Sequence, residues 1–539
     1  MKHYLKKLED TIRGHWNLKA LCDFEGESFT YGDLAKNIEM FKLFLKNAGI
    51  KKGDKIAICA RNSARWAITF WDINVNGCVV VPLLADFSPG GIAALTHHSE
   101  SVLLFTDEDI WTKLFPEEMP NLKAAINVKD GHLLWFQDKK VADAWEKREK
   151  TFSNRYPKGF SPKQVSYPTD NSNDLAIINY TSGTTGNPKG VMLTYDAFSD
   201  IDDFSNKHFP NKPGDTIVSM LPMAHMYGLV IEFIHPNVDG VTVYFLGKAP
   251  SPTTLLKAMQ EVKPYMVVTV PLVMEKIYAN SIKPTLEKMK LLLAVPFVNN
   301  LIYSTIRKKI IAAFGGQVGC FIMGGAALKP EVERCFSKMK LPFTVGYGMT
   351  EACPLLAYEW WTKFVPGSCG KAVHEIRIDS EDPKRIPGEI QARGRNMTIG
   401  YFKNPEANAA AFVEDGWFRT GDLGVMDDEG NIFIRGRIKS MILNSSGQNI
   451  YPEELEAVLS GCPYVNESLV VERKGKIVAL VYPEIPDDMD AETRTKLPDL
   501  IRTTANKALP VYSKINKVEL MLLPFEKTPK MSIKRYMYQ

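Results

Sequence analysis

The chain has 539 residues, 45% of them hydrophobic and 24% charged, and its formal net charge at pH 7 is +4. This length is too great for one hydrophobic core, so we expect a globular protein of several packed units. Acidic and basic residues are interspersed, which excludes a nucleic-acid-binding surface, and the eight cysteines form no C-x-x-C pair, which argues against a zinc site or a disulfide framework.

The N-terminal residues lack the apolar core of a secretory signal, and the scattered cysteines fit a reducing compartment, so we expect a cytoplasmic location. The first predicted element is a helix at 36–46, where apolar residues recur at helical spacing. Thr30 precedes this helix as a candidate N-cap, a structural role.

Strand-like apolar runs at 55–59 and 79–83 flank a helix at 66–75. A strand, a helix and a strand at this spacing predict a parallel βαβ unit. Similar segments recur in chain order, at 216–221, 241–246, 255–262, 266–270 and 319–324. The predicted fold class is therefore α/β, with a large N-terminal domain of doubly wound sheets.

The longest uncharged stretch, 291–306, is interrupted by Pro296 and by two asparagines. It is shorter than the ~20 apolar residues that a helix needs to cross a bilayer, so we predict no transmembrane segment. Lysines and arginines flank it on both sides. A buried helix with solvated ends is the favoured interpretation, and peripheral membrane contact is the alternative.

After residue 388 the predicted strands become shorter and the turns more frequent. The acidic turn 427–430 predicts a hairpin, because it lies between two strand-like runs and ends in glycine. A small α+β unit follows, with a helix at 452–459 and strands at 468–472 and 477–483. We predict an N-terminal domain at 1–436, which includes a small distorted β region, and a small mobile C-terminal domain at 437–539.

The most informative segment is 180–191, which is rich in threonine and glycine, contains Lys189 and follows a predicted buried strand. Glycines let the backbone approach a ligand, hydroxyls donate hydrogen bonds, and a lysine carries a charge suited to phosphate. The Walker spacing G-x-x-x-x-G-K-[ST] cannot be placed on it. We predict a triphosphate loop, the alternative being a flexible surface turn.

Three further segments carry candidate site residues. His225 lies in an apolar block at 221–228, where a satisfied core histidine is the competing interpretation. The run 323–328 is made mostly of small residues, which also suits a tight turn. In 346–351, glycines flank Tyr347, an aromatic that can stack on a purine, and Thr350 and Glu351 supply a hydroxyl for phosphate and a carboxylate for Mg²⁺.

The threonine-rich loop resembles the phosphate loop of the adenylate-forming superfamily, which contains acyl-CoA synthetases, nonribosomal adenylation domains and beetle luciferases. Blocks at 20–54, 221–228, 346–351, 417–422 and 445–454 extend the similarity over nearly the whole chain. The resemblance implies ATP, Mg²⁺ and CoA as ligands. It also implies a C-terminal domain that rotates about Lys439 between an adenylating and a thioester-forming pose.

The resemblance also implies individual roles. The nucleotide would contact Thr181, Ser182, Gly183, Thr184, Thr185, Gly186, Gly325, Ala326, Tyr347, Gly348, Asp422 and Arg437. Lys189, Thr350 and Glu351 would act on the phosphates, with Glu351 and Thr181 at the metal. His225, Met323 and Gly324 would line the acyl pocket, and Gly447 would contact pantetheine.

One position departs from the family pattern. The family's C-terminal block reads K-T-x-x-G-K, and its last lysine contacts the carboxylate and the α-phosphate. In this chain Met531 stands at the glycine and Ser532 at that lysine. Charge stabilisation of this kind is worth ~3–4 kcal/mol per donor in comparable sites. We therefore predict that Lys530 or Lys534 replaces it.

The function that we predict is a fatty-acid CoA ligase. Two segments, 245–278 and 525–529, look like those of long-chain synthetases, and the block 221–231 offers no carboxylate for the ammonium group of an amino acid. Two alternatives stay open. In one, the acyl group passes to a carrier-protein thiol; in the other, the chain binds nucleotide or acyl-adenylate without catalysis.

Overall fold

A computed structural model describes residues 2–181, 188–209, 211–247, 252–295, 297–443, 449–473, 475–486, 489–527 and 533–538. Its strands are β1 (Lys19–Asp23), β2 (Ser28–Thr30), β3 (Lys55–Cys59), β4 (Val79–Pro82), β5 (Leu103–Thr106), β6 (Ala124–Asn127), β7 (Leu133–Phe136), β8 (Leu175–Thr181), β9 (Lys189–Thr194), β10 (Thr216–Ser219), β11 (Thr242–Phe245), β12 (Met266–Thr269), β13 (Cys320–Met323), β14 (Phe343–Val345), β15 (Tyr347–Gly348), β16 (Leu355–Tyr358), β17 (Lys371–Ala372), β18 (Glu375–Asp379), β19 (Gly388–Arg393), β20 (Gly400–Tyr401), β21 (Phe418–Met426), β22 (Ile432–Arg437), β23 (Ile442–Leu443), β24 (Asn449–Ile450), β25 (Val465–Arg473), β26 (Lys476–Pro483) and β27 (Lys517–Leu520).

The α-helices are α1 (Tyr4–Gly14), α2 (Tyr31–Ala48), α3 (Ala64–Val75), α4 (Pro89–His98), α5 (Glu108–Trp111), α6 (Lys139–Glu146), α7 (Arg148–Arg155), α8 (Tyr195–His208), α9 (His235–Val238), α10 (Pro252–Val262), α11 (Pro271–Ile277), α12 (Lys283–Lys288), α13 (Lys290–Leu293), α14 (Val298–Ala313), α15 (Pro330–Met339), α16 (Pro405–Ala411), α17 (Pro452–Leu459) and α18 (Ala491–Ala508). Two π-helical segments, Gly228–Ile234 and Tyr278–Ile282, interrupt the sequence of α-helices.

The predicted α/β class is confirmed. The largest sheet has the order β20-β9-β8-β4-β3-β5-β6-β7. Its central strands β8, β4, β3, β5 and β6 are parallel to one another. At one edge β9 pairs antiparallel with β8 and β20 antiparallel with β9, and at the other edge β7 pairs antiparallel with β6. Two further sheets, β10-β11-β1-β2 and β12-β13-β14, are mostly parallel. Parallel strands of this kind are buried on both faces, which explains their uninterrupted apolar runs.

Aromatic side chains fill the core between the first two sheets. The rings of Phe70 and Trp71 on α3 each lie 5.5 Å from the ring of Phe233, and all three side chains are fully buried. Edge-to-face packing of this type stabilises the core beyond the area that it buries. Phe233 belongs to the π-helical segment Gly228–Ile234, so this packing anchors the segment that follows the His225 block.

The helix α2 begins where the sequence predicts a cap. The backbone N–H of Asp33 donates to Thr30 Oγ1 at 3.1 Å, and the backbone N–H of Thr30 donates to Asp33 Oδ2 at 3.1 Å. This reciprocal pair is a capping box, which satisfies two N–H groups that the helix itself cannot. Gly49 ends the helix in the left-handed conformation, with φ 74°.

The chain after Gly388 forms mostly antiparallel sheets, and only β26 and β27 of its described strands pair in parallel there. The sheet β18-β19-β21-β22 contains the predicted hairpin, in which Asp427 Oδ1 accepts from the N–H groups of Glu429 and Asn431. A short 3₁₀ turn, Ile438–Ser440, follows β22, and the sheet β25-β26-β27 then packs with α17 and α18. The predicted boundary coincides with this turn, and the division at 436/437 remains a prediction.

The expectation for 291–306 is wrong in one respect. The side chains at the junction of α13 and α14 are exposed, with Leu291 at 88% and Phe297 at 86%, and only the later part of α14 is buried, at Ile306 and Ile310. An apolar run does not reveal whether a neighbouring element covers it, which is why the sequence misled here. Among the described residues, no helix combines the length and the apolar character needed to span a bilayer.

All eight cysteines lie in the described ranges and are free thiols. Seven are buried, and Cys369 is partly exposed. This agrees with the expectation that they form no disulfide framework.

Candidate functional site

A cavity of about 2350 Å³ lies where the large sheets meet the C-terminal unit. The predicted site residues on its wall are Thr181, Lys189, His225, Met323, Gly324, Gly325, Ala326, Tyr347, Gly348, Thr350, Glu351, Arg437 and Lys439. Of the other predicted residues, Ser182, Gly183, Thr184, Thr185, Gly186, Gly447 and Lys530 lie outside the described residues, as does Ser532. Residues from distant parts of the sequence thus face one cavity.

The phosphate-loop segment is carried by an antiparallel hairpin. Thr181 ends β8 and pairs with Lys189, which begins β9. The sequence predicts a loop over 180–191, whereas β9 begins within that segment, at Lys189. Gly190 permits this pairing, because a Cβ there would lie 2.8 Å from Ile178 Cγ2. Lys189 therefore projects from a strand, which fixes its backbone at the cavity wall.

Tyr401 joins Lys189 to Glu351. The Lys189 ammonium lies 4.8 Å from the centre of the Tyr401 ring, and the Tyr401 hydroxyl donates to Glu351 Oε1 at 2.9 Å. Burial, and then the adjacent Glu351, raise the pKa of Tyr401. A cation above an aromatic face is held by the ring quadrupole, so one residue orients both charged groups. The sequence analysis missed Tyr401, for which the only signal is an aromatic next to Gly400.

Strand pairing brings Glu351 to this position. β20 pairs with β9, with Tyr401 opposite Val191. On the segment before β20, the N–H of Thr398 donates to the backbone carbonyl of Glu351 at 2.7 Å, while Thr398 Oγ1 donates to the Met192 carbonyl at 2.8 Å. The Glu351 segment is therefore hydrogen-bonded to the same hairpin that carries Lys189.

Asp422 lies behind the cavity wall, where it contacts two of the predicted nucleotide-binding residues. The Tyr347 hydroxyl donates to Asp422 Oδ2 at 2.7 Å, and Arg437 Nε forms an ion pair with Oδ1 at 2.9 Å. Burial raises the pKa of Asp422, and the Arg437 charge opposes that effect. Gly348 allows a close approach beside Tyr347, because a Cβ there would lie 1.9 Å from the Pro354 carbonyl oxygen.

The small residues after β13 make room for a neighbouring tyrosine. A Cβ at Gly324 would lie 3.1 Å from the Tyr227 ring, and Gly325 has φ 83°, which favours glycine. The Tyr227 hydroxyl donates to the carbonyls of Thr269 and Ile322, at 3.2 and 3.1 Å. These bonds hold the block that contains His225 against the ends of β12 and β13.

Glu232 is a buried carboxyl that the sequence analysis did not consider. Its Oε2 accepts from Ser219 Oγ, Met220 N and Leu221 N at 3.0–3.1 Å, and its Oε1 accepts no hydrogen bond from the described residues. Burial raises its pKa to about 8. Because Ser219, Met220 and Leu221 line the cavity, Glu232 fixes part of its wall from behind.

The C-terminal lysines are positioned differently from one another. Lys534 Nζ lies 3.6 Å from Glu526 Oε2, and Lys534 is not on the cavity wall, whereas Lys527 is on the wall and pairs with Glu467. Arg535 pairs with Glu456, whose pKa burial raises to about 7. The structure therefore does not bring Lys534 to Lys189 or Glu351, and the replacement of the missing lysine remains a prediction.

Among the described residues, one group outside the cavity has the donor set of a metal site: Asp202, His235 and Asp239. Lys7 Nζ donates to Asp202 Oδ2 at 2.6 Å, and His235 lies between the two carboxylates, with Nδ1 3.0 Å from Asp202 Oδ1. These side chains already neutralise one another, so the group is explained as a buried ion-pair network. At the cavity, Glu351 and Thr181 offer the oxygen ligands that Mg²⁺ prefers.

Comparisons with known proteins show a family model and several ligases to which this chain is similar. A family model described as AMP-binding enzyme matches residues 8–402. Long-chain-fatty-acid–CoA ligase 4 of Saccharomyces cerevisiae is 30% identical over 80% of this chain and 68% of its own length. The chloroplastic long-chain-fatty-acid–[acyl-carrier-protein] ligase AEE15 of Arabidopsis thaliana is 26% identical, over 86% of this chain and 74% of its own.

The fold also matches solved structures. The crystal structure of ATP-bound MatB from Rhodopseudomonas palustris superposes with a TM-score of 0.79 and 22% identity, and the match covers 99% of this chain and 97% of that one. At this identity the likeness concerns the fold, a large domain followed by a smaller C-terminal one.

Proposed function

Because the chain belongs to the AMP-binding enzyme family, we propose that it is an ATP-dependent ligase that activates a fatty acid as an acyl-adenylate and transfers the acyl group to CoA. One observation carries the proposal. A single cavity is lined both by Lys189 and Glu351 and by apolar side chains such as Leu221, Met220 and Leu272, which together we call its apolar branch. Charged groups for a triphosphate and an apolar branch for an acyl chain therefore share one space.

In the first half-reaction, a carboxylate oxygen of the acid attacks the α-phosphorus of ATP. The new O–P bond forms as the bond to the bridging oxygen breaks, and pyrophosphate leaves with that electron pair. Lys189 would stabilise the negative charge on the phosphates, and Tyr401 holds its ammonium in place. Glu351 and Thr181 would hold Mg²⁺, which neutralises phosphate charge when bound.

The nucleoside part would lie at the Tyr347 end. Tyr347 lines the cavity as an aromatic surface for the adenine, and Asp422 lies directly behind it. A carboxylate can accept from both ribose hydroxyls, and the Arg437 charge opposes the rise that burial causes in the pKa of Asp422. These residues would orient the α-phosphate toward the carboxylate of the acid.

In the second half-reaction, the sulfur of CoA attacks the acyl carbon and AMP leaves with the electrons of its C–O bond. We propose that the domain 437–539 turns about Lys439, which lies on the 3₁₀ turn after β22, and that Gly447 then meets the pantetheine arm. A hinge needs only to absorb a change in backbone torsion, so a charged residue on a short turn is sufficient.

The apolar branch supports an aliphatic acid over an amino acid. Leu221, Met226 and Ile231 line it, and the described block 221–231 places no carboxylate on the wall. Elsewhere on the wall stands Glu275, which already accepts from the Lys329 N–H at 3.0 Å. Glu232 follows the block at once, but it lies behind the wall with Oε2 already used by three donors. An ammonium group in the substrate would have no partner there.

The test is pyrophosphate release from ATP with straight-chain acids from two to eighteen carbons, with an aromatic acid for comparison, in the presence and absence of CoA. We expect release that depends on the acid, rises with chain length and yields the CoA thioester. Tight ATP binding without acid-dependent release would contradict the proposal and favour a non-catalytic binder.

The second candidate is a ligase that delivers the acyl group to a carrier protein. This candidate is supported by the similarity to AEE15, which is named as a ligase for acyl carrier protein. Both reactions share the adenylation step, so only the acceptor separates them. Thioester yield with CoA against yield with a holo-carrier protein decides between the two.

Replacement of the missing lysine has its own test. We propose that Lys534 or Lys530 reaches the carboxylate and the α-phosphate in the adenylating pose. Alanine at the residue that does so should slow pyrophosphate release by about 100-fold. Alanine at Lys496, an exposed lysine of α18, is the matched control. If neither Lys530→Ala nor Lys534→Ala slows this step, the replacement hypothesis fails.

A further inference from the structure

The junction of α13 and α14 carries a group of exposed apolar side chains that nothing in the described chain covers. This group, the apolar tip, consists of Leu291, Leu292, Val295, Phe297 and Leu301. Leu291 and Phe297 are 88% and 86% exposed, and Leu301 is 68% exposed. Soluble proteins rarely leave so many large apolar side chains together in water, and such a patch marks a docking surface.

Phe297 is the most unusual member of the apolar tip. Its φ is 68°, in the left-handed region that aromatic residues rarely adopt, and it precedes the first turn of α14. The turn is therefore not the one that local preference alone would select, and it leaves an aromatic ring exposed at the start of α14.

Basic residues flank the apolar tip on both sides in the sequence. They are Lys283, Lys288, Lys290, Arg307, Lys308 and Lys309, and Glu287 is the one acidic residue between 283 and 309. All of these except the partly buried Arg307 are exposed. Apolar side chains at the centre with lysines and arginines at the rim are the pattern of a segment that inserts into a bilayer and contacts its anionic headgroups.

The apolar tip is continuous with the cavity wall. Tyr278, Ala279 and Lys283 line the cavity, and Lys283 begins α12, which leads directly to α13. The Tyr278 hydroxyl donates to Glu331 Oε1 at 2.6 Å, and Lys283 Nζ lies 3.5 Å from the same oxygen. These polar contacts bridge the base of the helical pair to α15 at the rim of the apolar branch.

We propose that the apolar tip inserts into the surface of an anionic lipid bilayer and places the apolar branch of the cavity at the membrane. The proposed docking depends only on residues of α12, α13 and α14 and the turn between α13 and α14. The consequence that a fatty acid enters the cavity from the lipid phase rests also on the proposed function. Basic residues at the rim favour an anionic bilayer over a second copy of this chain, because two such rims would repel each other.

The experiment measures binding of the full-length protein to sedimented vesicles of phosphatidylcholine, with and without phosphatidylglycerol, in the absence of ATP and acid. We expect binding to the mixed vesicles, weakened by salt. The double variant Leu291→Ser/Phe297→Asn should bind about tenfold more weakly or less. Both replaced side chains are exposed and belong to no buried cluster, so the variant should remain folded.

A matched control removes apolar surface elsewhere. Leu522 and Leu523 on the C-terminal unit are 94% and 74% exposed, and Leu522→Ser/Leu523→Ser should bind vesicles as the unchanged protein does. The inference is overturned if the unchanged protein does not bind, or if the two double variants bind equally. It is also overturned if sedimentation velocity without lipid shows a dimer that only the Leu291→Ser/Phe297→Asn variant loses, because a second copy then covers the tip.

Activity separates this inference from the proposed function. With octanoate in solution and no vesicles, the Leu291→Ser/Phe297→Asn variant should release pyrophosphate as the unchanged protein does, since neither residue lines the cavity. With a long-chain acid supplied in anionic vesicles, its rate should fall in proportion to the lost binding. If no acid releases pyrophosphate while vesicle binding persists, the proposed function fails and the docking stands.

Discussion

At the scale of single residues, Tyr401 has the widest influence on the candidate site. It touches Lys189 through its ring and Glu351 through its hydroxyl, so two oppositely charged side chains stay apart yet oriented toward the same cavity. Without it, the ammonium and the carboxylate would be free to pair with each other.

Tyr401→Phe tests this role. The variant keeps the ring under Lys189 and removes the hydrogen bond to Glu351, and a bond to a charged group is worth about 1.5–3 kcal/mol. We expect the Mg²⁺ concentration for half-maximal pyrophosphate release to rise, and kcat to fall about tenfold. Glu351→Gln should produce the same defects, and the double variant should be little worse than either. Additive losses would show that the two residues act separately.

Glu232 governs a second residue-scale property, the dependence of stability on pH. Its pKa in the folded protein is about 8, above the value of about 4.5 for an unfolded glutamate. The folded state therefore keeps a proton that the unfolded chain loses, and the stabilising contribution is complete at low pH and is lost as pH rises through 8.

Glu232→Gln should remove that dependence. The amide oxygen can accept the three hydrogen bonds now made to Oε2, and it has no charge to bury. We expect the melting temperature of the unchanged protein to fall by several degrees between pH 6 and pH 9, relative to that of the variant. Parallel melting curves for the two proteins across this range would contradict the assignment.

At the scale of elements, local sequence rules account for most of the fold. The helix α2, the pair β3 and β4 around α3, and the hairpin before β22 were all predicted from apolar periodicity and turn residues. The predicted segments fail where the outcome depends on tertiary partners. β9 begins at Lys189 because β8 pairs with it, and the first part of 291–306 is exposed because no described element covers it. Local periodicity predicts neither the start of β9 nor this exposure.

Thr30→Ala tests a purely structural element. The variant removes one half of the capping box of α2 and should lower the free energy of unfolding by about 1 kcal/mol, as N-cap replacements do. Thr495, which bonds within α18 from an exposed position, provides a control that should change little. Ligase activity at a permissive temperature should be unaffected, and a loss there would assign Thr30 a role in the site.

At the scale of the whole molecule, the cavity is shared by two units joined at the turn Ile438–Ser440. Ser440 Oγ donates to Glu453 Oε1 at 2.6 Å, and Arg535 pairs with Glu456, so the pose in the structure has its own interactions near the joint. The sequence predicted residues that line one cavity, but it indicated neither Tyr401 nor Glu232. Tyr401 was missed because its partners Lys189 and Glu351 are distant in sequence, and Glu232 because local sequence does not show that its carboxyl is buried.

Lys439→Pro tests the turn as a hinge. Proline suits a helical turn but fixes φ near −65°, so the change in torsion that rotation needs is prevented. Pyrophosphate release in the first half-reaction should stay within about threefold, while thioester formation should fall at least about tenfold. Lys439→Ala, which leaves the backbone free to turn, should retain both. Equal losses in both half-reactions would mean that the residue is not a hinge.

The buried cysteines have a consequence for an enzyme that would hand an activated acyl group to a sulfur. Burial raises the pKa of every one of the eight thiols, to about 12 at Cys59 and about 11 at Cys335, and likewise at Cys462, which borders the cavity. Protonated sulfur is a poor nucleophile. The acyl-adenylate, a mixed anhydride, would therefore not react with a thiolate of the protein itself. Self-acylation would not consume this intermediate before its acceptor thiol binds.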